Sequence, residues 1–195
     1  MIPAILLFII ATVYRVVLGF AGSGNSWAFN FAPLAALALC GPSLFPRRLA
    51  FTAFALPLVA LLASDIVLNI HYGAAILSFA MVTRYVALAL IALLGRHLQG
   101  SRRPLEWLSC SAIGTLGFYL LTNSASWLTD PAYAKTVAGW VQALTIGSPG
   151  YPPTWMFLRN SFASDLLFTM LIAVCLLPRA AWEKPLVSFK SAARN

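Results

Sequence analysis

Charged side chains are scarce in this chain. Asp, Glu, Lys and Arg make up 9% of 195 residues, and only five are acidic; a soluble domain usually carries about a quarter charged residues. That deficit excludes an ordinary water-facing exterior. Histidine is scarcer still, with His71 and His97 far apart in the sequence. No His-x-x-x-His pair, nucleophile elbow, Walker A string or Gly-x-Gly-x-x-Gly loop occurs in a context that would give it meaning. We therefore expect no metal, no cofactor and no catalytic residues. The three cysteines, Cys40, Cys110 and Cys175, share no short metal-ligand spacing, and each sits in an apolar run where free Cys packs as a small hydrophobe.

What the chain has instead is hydrophobic length: 61% of its residues are apolar. A helix needs roughly 20 such residues to cross about 30 Å of hydrocarbon. The expected fold is all-α, a polytopic membrane bundle of about six transmembrane helices in one domain, 1–195. The spans read as about Pro3 to Ala21, Asn30 to Phe45, Leu49 to Ile70, Ala74 to Leu94, Leu105 to Leu121 and Trp155 to Leu177. The second is short and bracketed by Pro33, Pro42 and Pro46, so it tilts, breaks or enters partway. Tyr133 to Ile146 reads as a further short interfacial helix ended by the Gly147 to Pro153 turn. Ile2 to Thr12 resembles a signal-peptide core, but no Lys or Arg precedes it, and apolar character resumes beyond Arg15.

The net charge of +8 does not point to nucleic acid, because the basic residues stand singly or in pairs at the ends of apolar runs. They set orientation instead. With the N-terminus inside, the cytoplasmic segments hold nine Lys and Arg residues (Arg47, Arg48, Arg96, Arg102, Arg103, Arg179, Lys184, Lys190, Arg194), and the outer loops hold only Lys135. This positive-inside bias requires an even number of crossings and puts both termini in the cytoplasm. The same frame places Trp27, Trp127, Trp140 and Trp155 near the outer boundary, and Trp107 and Trp182 near the inner one.

Polar residues within the spans gather in the outer half: Arg15, Asn30, Asp65, His71, Arg84, Asn123, Trp127 at the rim, Arg159, Asn160 and Asp165. A charge at such depth costs about 2.5 to 3.5 kcal/mol on insertion scales and normally faces the bundle interior with a partner. By depth, Arg84 matches Asp165 and Arg15 matches Asp65. These residues are the candidate lining of one substrate site. Three arginines against two aspartates leave one positive charge, which suits an anionic or multiply polar solute.

Several strings carry a resemblance: Asn30-Phe-Ala-Pro33 leading to Ala36-Leu-Ala-Leu-Cys-Gly41, Pro46-Arg-Arg48, Ser64-Asp65 with His71, Leu121-Thr-Asn123 with Trp127, and Phe157-Leu-Arg-Asn160 with Asp165-Leu-Leu167. In order and spacing they resemble a bacterial family of uncharacterised membrane proteins assigned to transport, known only as a domain of unknown function. That resemblance implies a multi-pass protein of the bacterial inner membrane. Its architecture is similar to the S component of energy-coupling-factor vitamin transporters, which captures a micronutrient in an outward-facing pocket and relies on a membrane subunit and ATPases. The first helix departs from the S-component pattern of small residues four apart, since Ala11 is followed by Arg15.

The expected function is uptake of a small polar or anionic solute of the vitamin or micronutrient class. The partners expected are the lipid bilayer, the solute, and either an energising membrane subunit with ATPases or further copies of the chain. Gly22-Ser-Gly24 and Gly147 to Pro153 are candidate lid elements near the outer mouth. A structural or assembly subunit with buried salt bridges and no substrate is the alternative. An intramembrane enzyme has the least support, because a spacing of six from Asp65 to His71 does not put them on one helical face.

Overall fold

The computed structural model describes residues 2–20, 31, 33–45, 47–75 and 77–177. Among these residues there are seven α-helices and no strand: α1 (Ile2–Phe20), α2 (Leu34–Leu44), α3 (Ala50–Tyr72), α4 (Phe79–Gly95), α5 (Pro104–Thr129), α6 (Val137–Leu144) and α7 (Thr154–Leu176). Three stretches, Ala50–Tyr72, Phe79–Leu98 and Thr154–Leu176, are long and apolar enough to cross a membrane, and α1 and α2 supply shorter apolar helices. The outer surface agrees with that reading. Large apolar side chains such as Phe51, Val59, Leu90, Ile113 and Leu171 stand exposed along α3, α4, α5 and α7, which lipid tolerates and water does not.

Helix ends follow local chemistry rather than hydropathy. The fourth helix starts at Phe79, later than hydropathy places it, because the Ser78 hydroxyl accepts the Met81 N–H at 3.2 Å and caps it there. Upstream, Gly73 adopts φ 62°, and Ala74 N–H donates to Asn69 O at 2.8 Å, closing α3. The fifth helix runs on to Thr129, well past the expected end at Leu121. In its polar last turns Thr122, Asn123, Ser126 and Thr129 each donate to the carbonyl four residues back, so their side-chain donors are satisfied within the helix. The stretch from Tyr133 to Ile146 does hold a helix, shorter than expected, eight residues capped by the Thr136 hydroxyl.

The shortest apolar run occupies the middle of the bundle. At 11 residues α2 is about 16 Å long, half the hydrocarbon thickness, yet Ala36 through Pro42 are all buried and it packs on α1, α3, α4, α5 and α7. Small side chains make this possible. A Cβ added at Gly95 would overlap the Leu39 carbonyl oxygen, so α2 and α4 meet backbone to backbone. At Gly41 an added Cβ would stand 3.0 Å from Ala53 O. Ala53 lies four residues before Pro57, which has no N–H to offer it, so Gly41 lets α2 approach a carbonyl freed by a helix-interior proline.

Two expectations need correction. Trp107 stands at the end assigned to the inner interface, but it is 1% exposed and packs inward, outside any aromatic belt. Cys40 and Cys110 are buried as expected, whereas Cys175 is exposed on the outside of α7. Trp27, Trp182 and the Gly22-Ser-Gly24 lid lie outside the described residues.

Candidate functional site

Three helices converge on Asp65. From α1, Arg15 reaches across with both terminal nitrogens: Nη1 donates to Ser64 Oγ at 2.5 Å and Nη2 to Asp65 Oδ1 at 2.7 Å. From α4, Arg84 Nη2 reaches the other carboxylate oxygen at 3.4 Å. Helix α3 lies between the other two, so one carboxylate, 2% exposed, is shared by a guanidinium on each side. The alternating helix directions bring them level. Arg15 is five residues before the end of α1, Asp65 seven before the end of α3, and Arg84 five after the start of α4, so all lie about 8 to 10 Å from the same end of the bundle. The Tyr85 hydroxyl lies beside the same carboxylate but out of hydrogen-bond geometry, and it is buried with no partner.

The two arginines are held very differently. Arg15 is 21% exposed and makes two short contacts, including a charge-assisted bond of ideal length. Arg84 is 36% exposed, makes one long contact, and keeps its Nε–H buried without a partner. Depth alone matches Arg84 with Asp165, and the structure overturns that match: α4 packs on α3 and α5 rather than on α7, so Arg84 turns to Asp65.

Asp165 sits deeper, in a network of hydroxyls instead of cations. The Thr115 hydroxyl of α5 bonds Asp165 Oδ2 at 2.7 Å and lies 3.0 Å from Ser111 O, while Thr169 donates to Ser111 Oγ at 3.2 Å. The Ala36 backbone N–H of α2 lies beside the carboxylate as well. Among the described residues no guanidinium or ammonium forms an ion pair with Asp165. The space beside it, lined by Ala35, Leu39, Ile91, Ser111, Gly114 and Thr115, is too small to hold a water molecule.

The other candidates are held by their own local partners. Asn123 donates to Tyr119 O one turn back within α5. Trp127 donates its indole N–H to Ala134 O at 2.9 Å, and Lys135 donates to the carbonyls of Trp127 and Asp130, capping the end of α5 with a positive charge. Burial pushes the nearby Tyr133 phenol up, with the Asp130 charge adding to it. Arg159 lies 5.4 Å over the Trp155 ring and donates to Asn160 Oδ1. His71 is exposed at the end of α3, edge-on to Phe20 and Tyr72. Asn30 lies outside the described residues. At the start of the Gly147 to Pro153 segment, Gly147 N–H donates to Gln142 O at 2.8 Å and the Gln142 amide returns a bond to Gly147 O.

Direct contact therefore joins Arg15, Asp65 and Arg84 in one cluster and Arg159 with Asn160 in another, while Asp165 bonds Thr115 and Asn123 bonds the backbone of its own helix. Reading the sequence for ionisable groups missed the residues that complete these clusters: Ser64, Tyr85, Ser111, Thr115 and Thr169. A signal was present for some of them. Ser111 and Thr115, and Asp165 and Thr169, are spaced four apart and share a helix face, but intrahelical back-bonding makes hydroxyls unremarkable in apolar helices. Cavities among the described residues include three that lie elsewhere. One of about 430 Å³ is lined by Trp127, Lys135, Val137 and Trp140. At the opposite end of the bundle, one of about 590 Å³ lies between α3 and α4 at Phe51 and Arg96, and one of about 570 Å³ lies at Ser43, Arg102 and Trp107.

These features define an all-helical protein with three helices long and apolar enough to span a membrane and a charged cluster inside the bundle. The chain belongs to DUF6580, a family of unknown function, which matches residues 1–182. No curated protein and no solved structure matches the chain.

Proposed function

We propose that this is a membrane transport protein that binds a small polar or anionic solute at the Arg15, Asp65, Arg84 cluster. One observation carries the reading: two guanidiniums share one buried carboxylate, and the second makes a single long contact to it and keeps its Nε–H buried without a partner. A bundle that needed only a helix clamp would be served by Arg15 and Asp65. A second cation at membrane depth is costly and calls for an anion that the described protein does not supply. In this reading the helices make six crossings of a bacterial inner membrane, both termini are cytoplasmic, and the cluster opens outward, as the distribution of Lys and Arg favours. Solute capture then works as in an S component, with an energising subunit and ATPases or further copies of the chain completing transport.

The Arg15 contacts favour one other reading, a structural subunit in which the cluster only locks α1 to α3 and α4. Native mass spectrometry of the purified protein with candidate micronutrients separates the two. The transport reading expects a bound small molecule that is lost in Arg84→Ala. Identical spectra for the wild type and this variant, with no ligand in either, would leave the structural reading standing.

A further inference from the structure

Net charge at the cluster is set by the groups that face Asp65: Arg15 from α1, Arg84 and Tyr85 from α4, and Ser64 from α3 itself. With a neutral phenol and hydroxyl, two guanidiniums and one carboxylate leave a single positive charge. At membrane depth an excess charge is costly, and one negative charge compensates it fully. A dianion would replace an excess of one sign by an excess of the other.

The bonding pattern says which arginine takes that charge. Ser64 and Asp65 hold Arg15 at 2.5 and 2.7 Å, and freeing it would break both bonds. Arg84 gives up only a 3.4 Å contact, is the more exposed of the two, and leaves a buried Nε–H unpaired. Two oxygens of one oxyanion taken in fork geometry by Nε and Nη would satisfy that orphan donor. We propose that the cluster binds one monoanionic oxyanion, a carboxylate or a phosphodiester, and that Arg84 receives it while Arg15 stays bonded to Asp65. This rests on the solute-binding reading above and adds the valence and the receiving residue. The anion has two sources, a soluble monocarboxylate or the phosphodiester of an anionic lipid.

The test is the unfolding temperature of the purified full-length chain at constant ionic strength, in two arms. In detergent, acetate, lactate and nicotinate are titrated against succinate and choline. In nanodiscs, phosphatidylglycerol is compared with phosphatidylcholine. The expected result is stabilisation by a monocarboxylate, or by phosphatidylglycerol, that is weakened about tenfold or more in apparent affinity by Arg84→Gln. Arg84→Lys, which keeps the charge but not the fork, should fall between, and Arg102→Gln on the exposed loop should match the wild type. Circular dichroism checks that each variant is folded. Stabilisation by succinate as strong as by monocarboxylates, and lost in Arg84→Gln, overturns the valence and leaves solute binding intact. A monoanion effect unchanged in Arg84→Gln overturns the assignment to Arg84. Response to phosphatidylglycerol alone supports the monoanion but removes the soluble solute, and no response in either arm overturns both.

Discussion

The unequal grip on Asp65 makes a quantitative prediction about stability. Consider two double-mutant cycles that share Asp65→Ala, one with Arg15→Ala and one with Arg84→Ala. The Arg15 bond is 2.7 Å long to a carboxylate 2% exposed, and a hydrogen bond to a charged group is worth about 1.5 to 3 kcal/mol. The Arg84 contact is 3.4 Å long from a side chain 36% exposed, the geometry of a partly solvated pair worth no more than about 1 kcal/mol. Alone, Asp65→Ala is expected to cost about 3 to 5 kcal/mol, because it strands Arg15 without a counter-charge inside the bundle. Reversible unfolding in mixed micelles of mild detergent and dodecyl sulfate, followed by helical circular dichroism, gives the coupling energies. Couplings that agree within about 0.5 kcal/mol, the scatter of additivity itself, or a larger coupling to Arg84, would refute the division of roles.

Four further outcomes are expected. Gly95→Ala should destabilise by about 1 to 3 kcal/mol, because its Cβ overlaps Leu39 O and must push α2 from α4. Gly117→Ala meets nothing within 4 Å and should stabilise by up to about 1 kcal/mol through helix propensity, both read as unfolding temperatures. Thr115→Val should cost about 1 to 3 kcal/mol in the same assay, since it takes the hydroxyl from Asp165 where no water fits as a replacement. Single cysteines placed at Lys135 and Arg102 in an otherwise cysteine-free chain should label oppositely in intact cells: an impermeant maleimide should modify position 135 from outside and reach position 102 only after permeabilisation. Equal labelling would remove the proposed orientation.

The helices were legible because hydropathy and helical length act locally. Each expected span coincides with a helix, and even the short α6 was visible in Tyr133 to Ile146. Ends were less legible. The last turns of α5 are polar, so hydropathy stops at Leu121 while the hydrogen-bonding does not. At the site, Arg15 with Asp65 could be matched from depth because α1 and α3 pack together. The same depth rule failed for Arg84, which had two aspartates at similar levels and no sequence signal for which helix stands next to α4.

By itself, the sequence determined that this chain is all-helical, that its exterior suits lipid, and that costly charges lie inside its helices. Those properties depend on the transfer energy and the backbone hydrogen-bonding of single segments. Only the tertiary structure decided that the shortest run, α2, is the centre of the bundle, because backbone contact at Gly95 and Gly41 depends on which helices cross. It alone decided that Asp65 takes two arginines and that Asp165 takes none among the described residues. Pairing between distant segments is set by their azimuth around a shared core, and hydropathy along a chain carries depth but no azimuth between helices.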